Sequence, residues 1–531
     1  MTSTLFSLRS VVLEQKERTK GTSRADVERF IAESESKITS LESQISALVE
    51  LRDRERDCVA ALRHLISPIH TLPVELLSDI FERAICDCTD SGLPSDWPTE
   101  EEEDNDSEVS SPRDEREDRR RAHMKAVFQI SQVCTDWRQV AYATPRLVWT
   151  AEMRINLRQG RDGDRDQLYA DGLKTWLLRY APLTIPISLH LRPLDGINYR
   201  ILDDVLSIAP RYHSLRLLVT HYTPLSFVNR LAEARLENLE ELDLGPLECN
   251  IGSPLPTAVT TTLTSFTIAP CLRKLGMSVF SNHLPALVPW AQLTHLRLHS
   301  IFFLDSVLDD ILSKCIDLIQ ADLDTSVWFV LPQARELIYL THLRRLYLSF
   351  FEEGRHFMPF LDCLSTPVLE VLRLNFVGMG FSPRWIQESF TAFQLRAPNI
   401  THLDLGYADL TSDDLRTAIR HAPSLAHLRL IGCDACIDDA FLDSLCYKAG
   451  TIPLAPHLHN LFIDGIVPDN FTPDILAGMI ASRWWTDAES AWHLAPSSVA
   501  RWTRVQLYSL SSHQYTSILD RLPPDVLTIS R

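Results

Sequence analysis

The chain has 531 residues, is 45% hydrophobic, and carries 70 acidic against 52 basic residues for a net charge of −18. That length exceeds one ordinary hydrophobic core and points to several domains or a repeat array, with a globular rather than disordered composition. The acidic balance speaks against non-specific nucleic-acid binding, which needs a basic face, and no apolar run reaches the roughly 20 residues of a membrane-spanning helix.

Met1 to Leu13 is mildly apolar, but Arg9 interrupts it and no small-residue cleavage site follows, so no signal peptide is expected. The 11 cysteines show no framework spacing. Free thiols in a reducing compartment, cytoplasmic and/or nuclear, are therefore expected. Residues 1–25 read as a disordered N-terminus. Residues 26–66 read as a helix, with Ile31, Ile38 and Ile45 seven apart and Leu41 and Leu48 beside them. This is a coiled-coil seam of about three heptads. Ser34 interrupts it, and after Leu48 the apolar line shifts to Leu51, Cys58 and Leu65. A homodimer through residues 26–66 is open, as is a helix that folds back on the next domain or stays partly solvated.

Residues 67–150 carry two apolar helical patterns. The first is Leu72-Pro73-Val74-Glu75-Leu76-Leu77-Ser78-Asp79-Ile80-Phe81. Pro73 suits the first helical position, and Glu75 favours the helix dipole. The stripe Val74, Leu77, Phe81 and Ala84, widened by Leu76 and Ile80, is more apolar surface than one small helix buries in its own core. The second is Val133-Cys134-Thr135-Asp136-Trp137-Arg138-Gln139-Val140-Ala141. Between them, 86–121 forms an acidic insertion expected to stay solvated. It is a tolerated loop, or a docking or phosphorylation segment around Ser107, Ser110 and Ser111.

Both halves, in that order and ahead of leucine-rich repeats, resemble an F-box, and the arrangement is similar to a large fungal group of F-box proteins. The resemblance implies a small all-α domain docking on the Skp adaptor, and through it on the cullin scaffold, of an SCF-type cullin–RING ubiquitin ligase. By motif match Leu72, Pro73, Leu76, Ile80 and Phe81 would touch the adaptor. Val133, Trp137 and Arg138 would complete or brace that surface.

From 165 to 525 an apolar-x-x-apolar-x-apolar pattern returns. Clear copies are Leu239-Leu242-Leu244, Leu272-Leu275-Met277, Leu293-Leu296-Leu298, Leu318-Ala321-Leu323 and Leu343-Leu346-Leu348. The series continues as Leu369-Leu372-Leu374, Ile400-Leu403-Leu405, Leu425-Leu428-Leu430, Leu458-Leu461-Ile463 and Trp502-Val505-Leu507. From Leu293 to Leu425 the copies follow one another at near-regular steps, close to the length expected of leucine-rich repeats. The array resembles the leucine-rich repeat family and implies an α/β solenoid, or horseshoe, of stacked strands with helical or irregular returns. The longer steps from Leu239 to Leu272 and from Leu425 to Leu458 depart from the pattern. The Asn or Cys expected after each triplet is mostly missing, Cys433 excepted. Cys433 and Cys436 therefore read as packing residues, since no second ligand pair accompanies them for zinc. From about 471 an atypical C-terminal cap is expected, with a helix over 477–485, a last strand, and a helix over 514–522.

Residues between the last two apolar positions of each triplet should point outward. Arg297, Arg345, Tyr347, Arg373 and Arg429 are the candidate target-binding residues, because Arg and Tyr are common interface anchors. His295, His402 and His427 should share that face. No phosphate loop, zinc-protease motif or nucleophile elbow is present, so no catalytic site, metal or cofactor is expected. The expected function is that of a non-catalytic substrate receptor holding an unknown target. A repeat scaffold that does not lead to ubiquitination is the alternative.

Overall fold

The computed structural model describes residues 2–18, 20–21, 23–65, 72–89, 125–144, 153–158, 163–179, 184–192, 196–247, 266, 269–279, 288–300, 311–325, 337–351, 357–377, 385–448, 453–465, 470–484 and 499–508. The chain divides into two compact units, Met1–Val148 and Trp149–Arg531.

The first unit is helical. Residues expected to be disordered instead form α1 (Thr2–Arg18). The chain breaks at Gly21, whose φ of 102° is open to glycine. It restarts as α2 (Arg24–Leu65), a helix of 42 residues. Ser23 caps this start, its hydroxyl accepting from the Asp26 amide at 3.3 Å. Beyond 72 come α3 (Val74–Thr89), α4 (125–131) and α5 (Thr135–Ala143). Pro73 precedes the first helical residue, and its carbonyl accepts from Leu77 N at 3.1 Å.

Of the wide apolar stripe on α3, one edge turns inward. Leu77, Phe81 and Ile85, spaced by four, form a core with Val127 of α4 and with Val140 and Ala141 of α5. Trp137 leans on this core with its ring 4.8 Å from that of Phe81. Ser78 and Thr144 share a hydroxyl hydrogen bond of 2.8 Å that ties α3 to the end of α5. Most of the acidic insertion, including Ser107, Ser110 and Ser111, lies outside the described residues. Its first four residues, Cys86 to Thr89, continue α3.

The second unit is α/β. Among the described residues, thirteen strands form one sheet in strict sequence order, all parallel. They are β1 (Met153–Asn156), β2 (Ile185–Leu191), β3 (Tyr212–Val219), β4 (Glu241–Pro246), β5 (Lys274–Val279), β6 (His295–Ser300) and β7 (Gln320–Thr325). A short pair, β8 (Ile338–Tyr339) with β10 (Leu364–Ser365), stands apart from the main sheet. The main sheet continues with β9 (Arg345–Phe351), β11 (Val371–Val377), β12 (His402–Gly406), β13 (His427–Ile431), β14 (Asn460–Asp464) and β15 (Arg504–Leu507). It begins at Met153, ahead of the expected boundary at 165.

The triplets explain this order. Their second and third positions are two apart in a strand and share one face, and the first position closes the turn into the strand. Every apolar residue of the ten clear triplets is buried. One layer cannot cover its own apolar face, so each repeat is completed by the next. The returns carry helices where length allows. These are α6 (Gly163–Arg179), α7 (Tyr199–Leu206), α8 (Leu225–Ala232), α9 (Phe357–Asp362), α10 (Gln387–Leu395), α11 (Ser412–Arg420), α12 (Asp439–Leu445) and α13 (Pro473–Ser482). Helix α11 starts with a capping box between Thr411 and Asp414 and buries Leu415, Ala418 and Ile419.

Of the cap expected from 471, the described residues include a helix, at Pro473–Ser482 rather than 477–485, and a last strand, β15. The helix Pro473–Ser482 is an ordinary return between β14 and β15, packed on the preceding return helix Asp439–Leu445. Val505 and Leu507 of β15 lie in register with Leu461 and Ile463, so the repeat extends to the last described strand. Its unusual feature is Arg483, fully buried, which donates to the carbonyl of Ala455 at 2.7 Å and lies over the Trp502 ring. Desolvation lowers its pKa to about 10. The expected helix over 514–522 lies outside the described residues.

Candidate functional site

Two surfaces stand out. On the helical unit, the outer edge of the α3 stripe is apolar and uncovered. Val74, Leu76 and Ile80 are 54%, 50% and 46% exposed. Pro73 is exposed at the helix start, and Leu72 is half-buried against the core. Val133 and Phe128 are also exposed.

The motif residues therefore divide. Leu76, Ile80, Pro73 and Val133 are available to a partner. Phe81 is not: at 2% exposure it is core, which corrects its assignment as a docking residue. Trp137 packs beside it from α5. Arg138 braces, its Nε donating at 2.9 Å to the Ser131 carbonyl at the end of α4. That bond satisfies one of the carbonyls a helix leaves open at its C-terminus.

On the repeat array, the sheet face opposite the leucines is polar. Its middle row runs Arg216, Asp243, Gly276, Arg297, Asp322, Tyr347, Arg373, Asp404, Arg429 and Phe462, all in strand register. Arg297 Nε lies 2.9 Å from Asp322, and Arg373 Nε lies 2.8 Å from Asp404. Arg429 approaches the same Asp404 at 3.8 Å. The guanidinium of Arg373 also lies over the Tyr347 ring, and that of Arg429 over the Phe462 ring.

The outward direction expected of these residues is correct, and neighbouring side chains hold them in place there. Arg297, Arg373 and Arg429 are engaged in an alternating ladder of ion pairs and ring contacts, and Tyr347 is buried at 8% exposure. Arg345 sits in the adjoining row and is exposed.

That adjoining row places Lys274, His295, Gln320 and Arg345 side by side, and farther along His402, His427 and Asn460. The rings of His402 and His427 stack at 3.8 Å, and His459 meets His427 edge-on at 4.8 Å. The amide Nδ2 of Asn460 donates to His427 Nδ1 at 2.8 Å. Burial, with His402 and His459 alongside, lowers the His427 pKa to about 4. Burial, with Lys274 and Arg345 nearby, does the same for His295. Both rings are neutral at pH 7, acting as packing surfaces and hydrogen-bonding groups.

Cys433 and Cys436 are buried thiols donating to backbone carbonyls. Cys433 reaches Leu405 O in the preceding repeat at 3.4 Å, and Cys436 reaches Cys433 O at 3.0 Å. Burial pushes the Cys433 thiol up to about 11. Among the described residues no three His, Cys, Asp or Glu side chains converge as metal ligands would.

Sequence reading missed how the turns are tied. Asn238, Gln292 and Asn399 each stand just before the first apolar residue of a triplet. Each donates its side-chain amide back to the preceding turn, at Pro210 O (2.7 Å), Ala269 O (2.8 Å) and Pro367 O (2.7 Å). The Asn ladder expected after the triplet is thus partly replaced by one before it. The recurring Asn or Gln at that offset is the signal that could have revealed it.

These features define a single-sheet parallel solenoid with a polar outer face, joined in one chain to a helical unit with an uncovered apolar edge. The sequence matches no family model and no curated protein. Among solved structures, the chain is similar to the crystal structure of a TLR13–ssRNA13 complex, with 12% identity and a TM-score of 0.21, over 53% of this chain and 52% of that one. The chain thus spans about half the length of that protein. No helix among the described residues is long and apolar enough to cross a membrane.

Proposed function

We propose that this chain is the substrate-recruiting, non-catalytic subunit of an SCF-type cullin–RING ubiquitin ligase in the cytoplasm and/or nucleus. Its helical unit acts as an F-box that docks on the Skp adaptor, and its repeat array holds the target protein. The observation that carries this reading is the apolar edge of α3. A helix serving only its own core puts polar residues on its other faces. Here Val74, Leu76 and Ile80 stay about half exposed although Leu77, Phe81 and Ile85 already complete a core. An apolar edge beside a finished core suits a protein partner. The target would meet the polar sheet face, with exposed Arg345 and the rim of the charge ladder offering polar contacts. Ubiquitin transfer would then be accelerated by proximity to the charged carrier rather than by any group of this chain.

The test is adaptor capture by the full chain carrying Leu76→Asp and Ile80→Asp. Both side chains are exposed, so the helical fold, followed by circular dichroism, should be unchanged. Capture should fall at least about tenfold, the loss of one buried aliphatic contact. Undiminished capture by the folded variant would overturn the docking surface.

A further inference from the structure

Among the described residues, none covers helix α2. From Glu28 to Arg63 every residue is exposed, including Ile31, Ile38, Leu41, Ile45, Leu48, Val59 and Leu62 at 46–64%. A helix is ordinarily held by an apolar face packed on something else. The side-chain pairs within this one, such as Lys37–Glu33 at 2.7 Å, are exposed. Such pairs contribute little.

The unbroken helix also changes the seam. Ile31, Ile38, Ile45, Arg52 and Val59 lie at intervals of seven. Val27, Ser34, Leu41, Leu48, Glu55 and Leu62 follow the same interval on the neighbouring line. The shift to Leu51 and Cys58 is therefore a flank of one continuous stripe that resumes at Val59 and Leu62. The stripe runs from Val27 to Leu62, about 50 Å at the rise of an α-helix. Each apolar residue on the first line is β-branched, and from Leu41 onward each apolar residue on the second line is leucine. That combination selects two parallel strands.

We infer that α2 pairs with α2 of a second copy of this chain as a parallel, in-register two-stranded coiled coil. The polar interruptions decide register and direction. In parallel register Ser34, Arg52 and Glu55 each meet their own counterpart, and the Arg52 and Glu55 layers adjoin, so each like-charge pair has opposite charges in the next layer. Every apolar layer meets an apolar layer. A slip of one heptad would set Arg52 against Ile45 or Val59. An antiparallel pair using the whole stripe would set Glu55 against Ile38 and Arg52 against Leu41, burying charges among aliphatic side chains. On the flanks, parallel pairing brings Lys37 alongside the partner's Glu42, which favours the same register. The inference goes beyond the ligase reading and does not depend on it.

The test uses the full chain in sedimentation equilibrium. The wild type should weigh twice its 60.4 kDa chain mass. Ile38→Asp with Leu41→Asp should raise the dissociation constant at least about a hundredfold and yield monomer. Both positions are exposed, so the melting of the repeat array should be unchanged. Ile31→Cys in a Cys58→Ser background, oxidised, should give a disulfide-linked double-mass band that Cys58→Ser alone lacks. Only the parallel register places the two copies of position 31 opposite each other within bridging distance, since an antiparallel pair would set 31 against 62, about 45 Å from its own counterpart. A monomeric wild type, or a dimer that survives the double substitution, overturns the proposal. A dimer lost on double substitution but not cross-linked at 31 overturns the parallel register.

Discussion

At the scale of single residues, the polar face of the sheet is governed by shared counter-charges. Asp404 serves both Arg373 and Arg429 from a largely buried position. Asp404→Ala should leave two guanidiniums facing each other and cost about 1–3 kcal/mol, read as a lower urea midpoint. Arg429→Ala should cost less, because Asp404 keeps Arg373. His427 makes a second prediction. Its pKa is lowered from 6.5 to about 4 on folding. The unfolded chain therefore binds a proton that the folded chain refuses between those values. This contribution to stability is complete above about pH 6.5 and is lost as pH falls towards 4. The melting temperature should drop across that window, and His427→Gln should flatten the slope. The direction of Arg373 and Arg429 was legible from strand alternation. Their pairing was not, because Asp404 stands a full repeat from each and meets them only through the register of three strands.

At the scale of elements, the exits from the strands recur in shape. Tyr407, Gly432 and Gly465 follow β12, β13 and β14, each with positive φ. A Cβ at Gly432 would come within 2.5 Å of the Tyr407 ring. Gly432→Ala should cost about 1–3 kcal/mol from strain alone, with more from the clash. Adding Tyr407→Gly should recover part of the loss, a non-additivity measurable by a double-mutant cycle. The strands themselves were legible, since a period-two pattern at near-regular steps survives every irregular return. β1 was not, because Met153–Asn156 carries only one buried residue among its four. On α3, the stripe from Val74 to Phe81 was visibly too wide for one core. Which edge turned inward was decided by Val127, Val140 and Ala141, residues distant in sequence. The N-terminal helix α1 was missed because its apolar residues follow no strong helical period.

At the scale of the whole molecule, the two units are built on different principles. The helical unit closes a small core from α3, α4 and α5, with contacts between residues as far apart as Ser78 and Thr144. The repeat unit closes nothing, since each strand of its main sheet pairs only with the one before and the one after. The two units can therefore be perturbed separately. A charge on Leu76 or Ile80 should spare the array, and a change at Asp404 should spare the helical unit. Separate melting transitions, followed by calorimetry on each variant, would check this, and a single shared transition would contradict it.

Strict neighbour-to-neighbour order has a consequence for descent. A chain whose strands cross over cannot gain or lose a segment without rewiring the rest. Here a duplication or deletion of one whole turn, such as the stretch from Leu293 to Leu318 or from Ile400 to Leu425, rejoins equivalent positions. Every remaining strand keeps neighbours of the right kind. Length is thus a heritable variable that can drift without endangering the fold. The longer step from Leu425 to Leu458 puts its extra residues in the return, where the sheet does not register them.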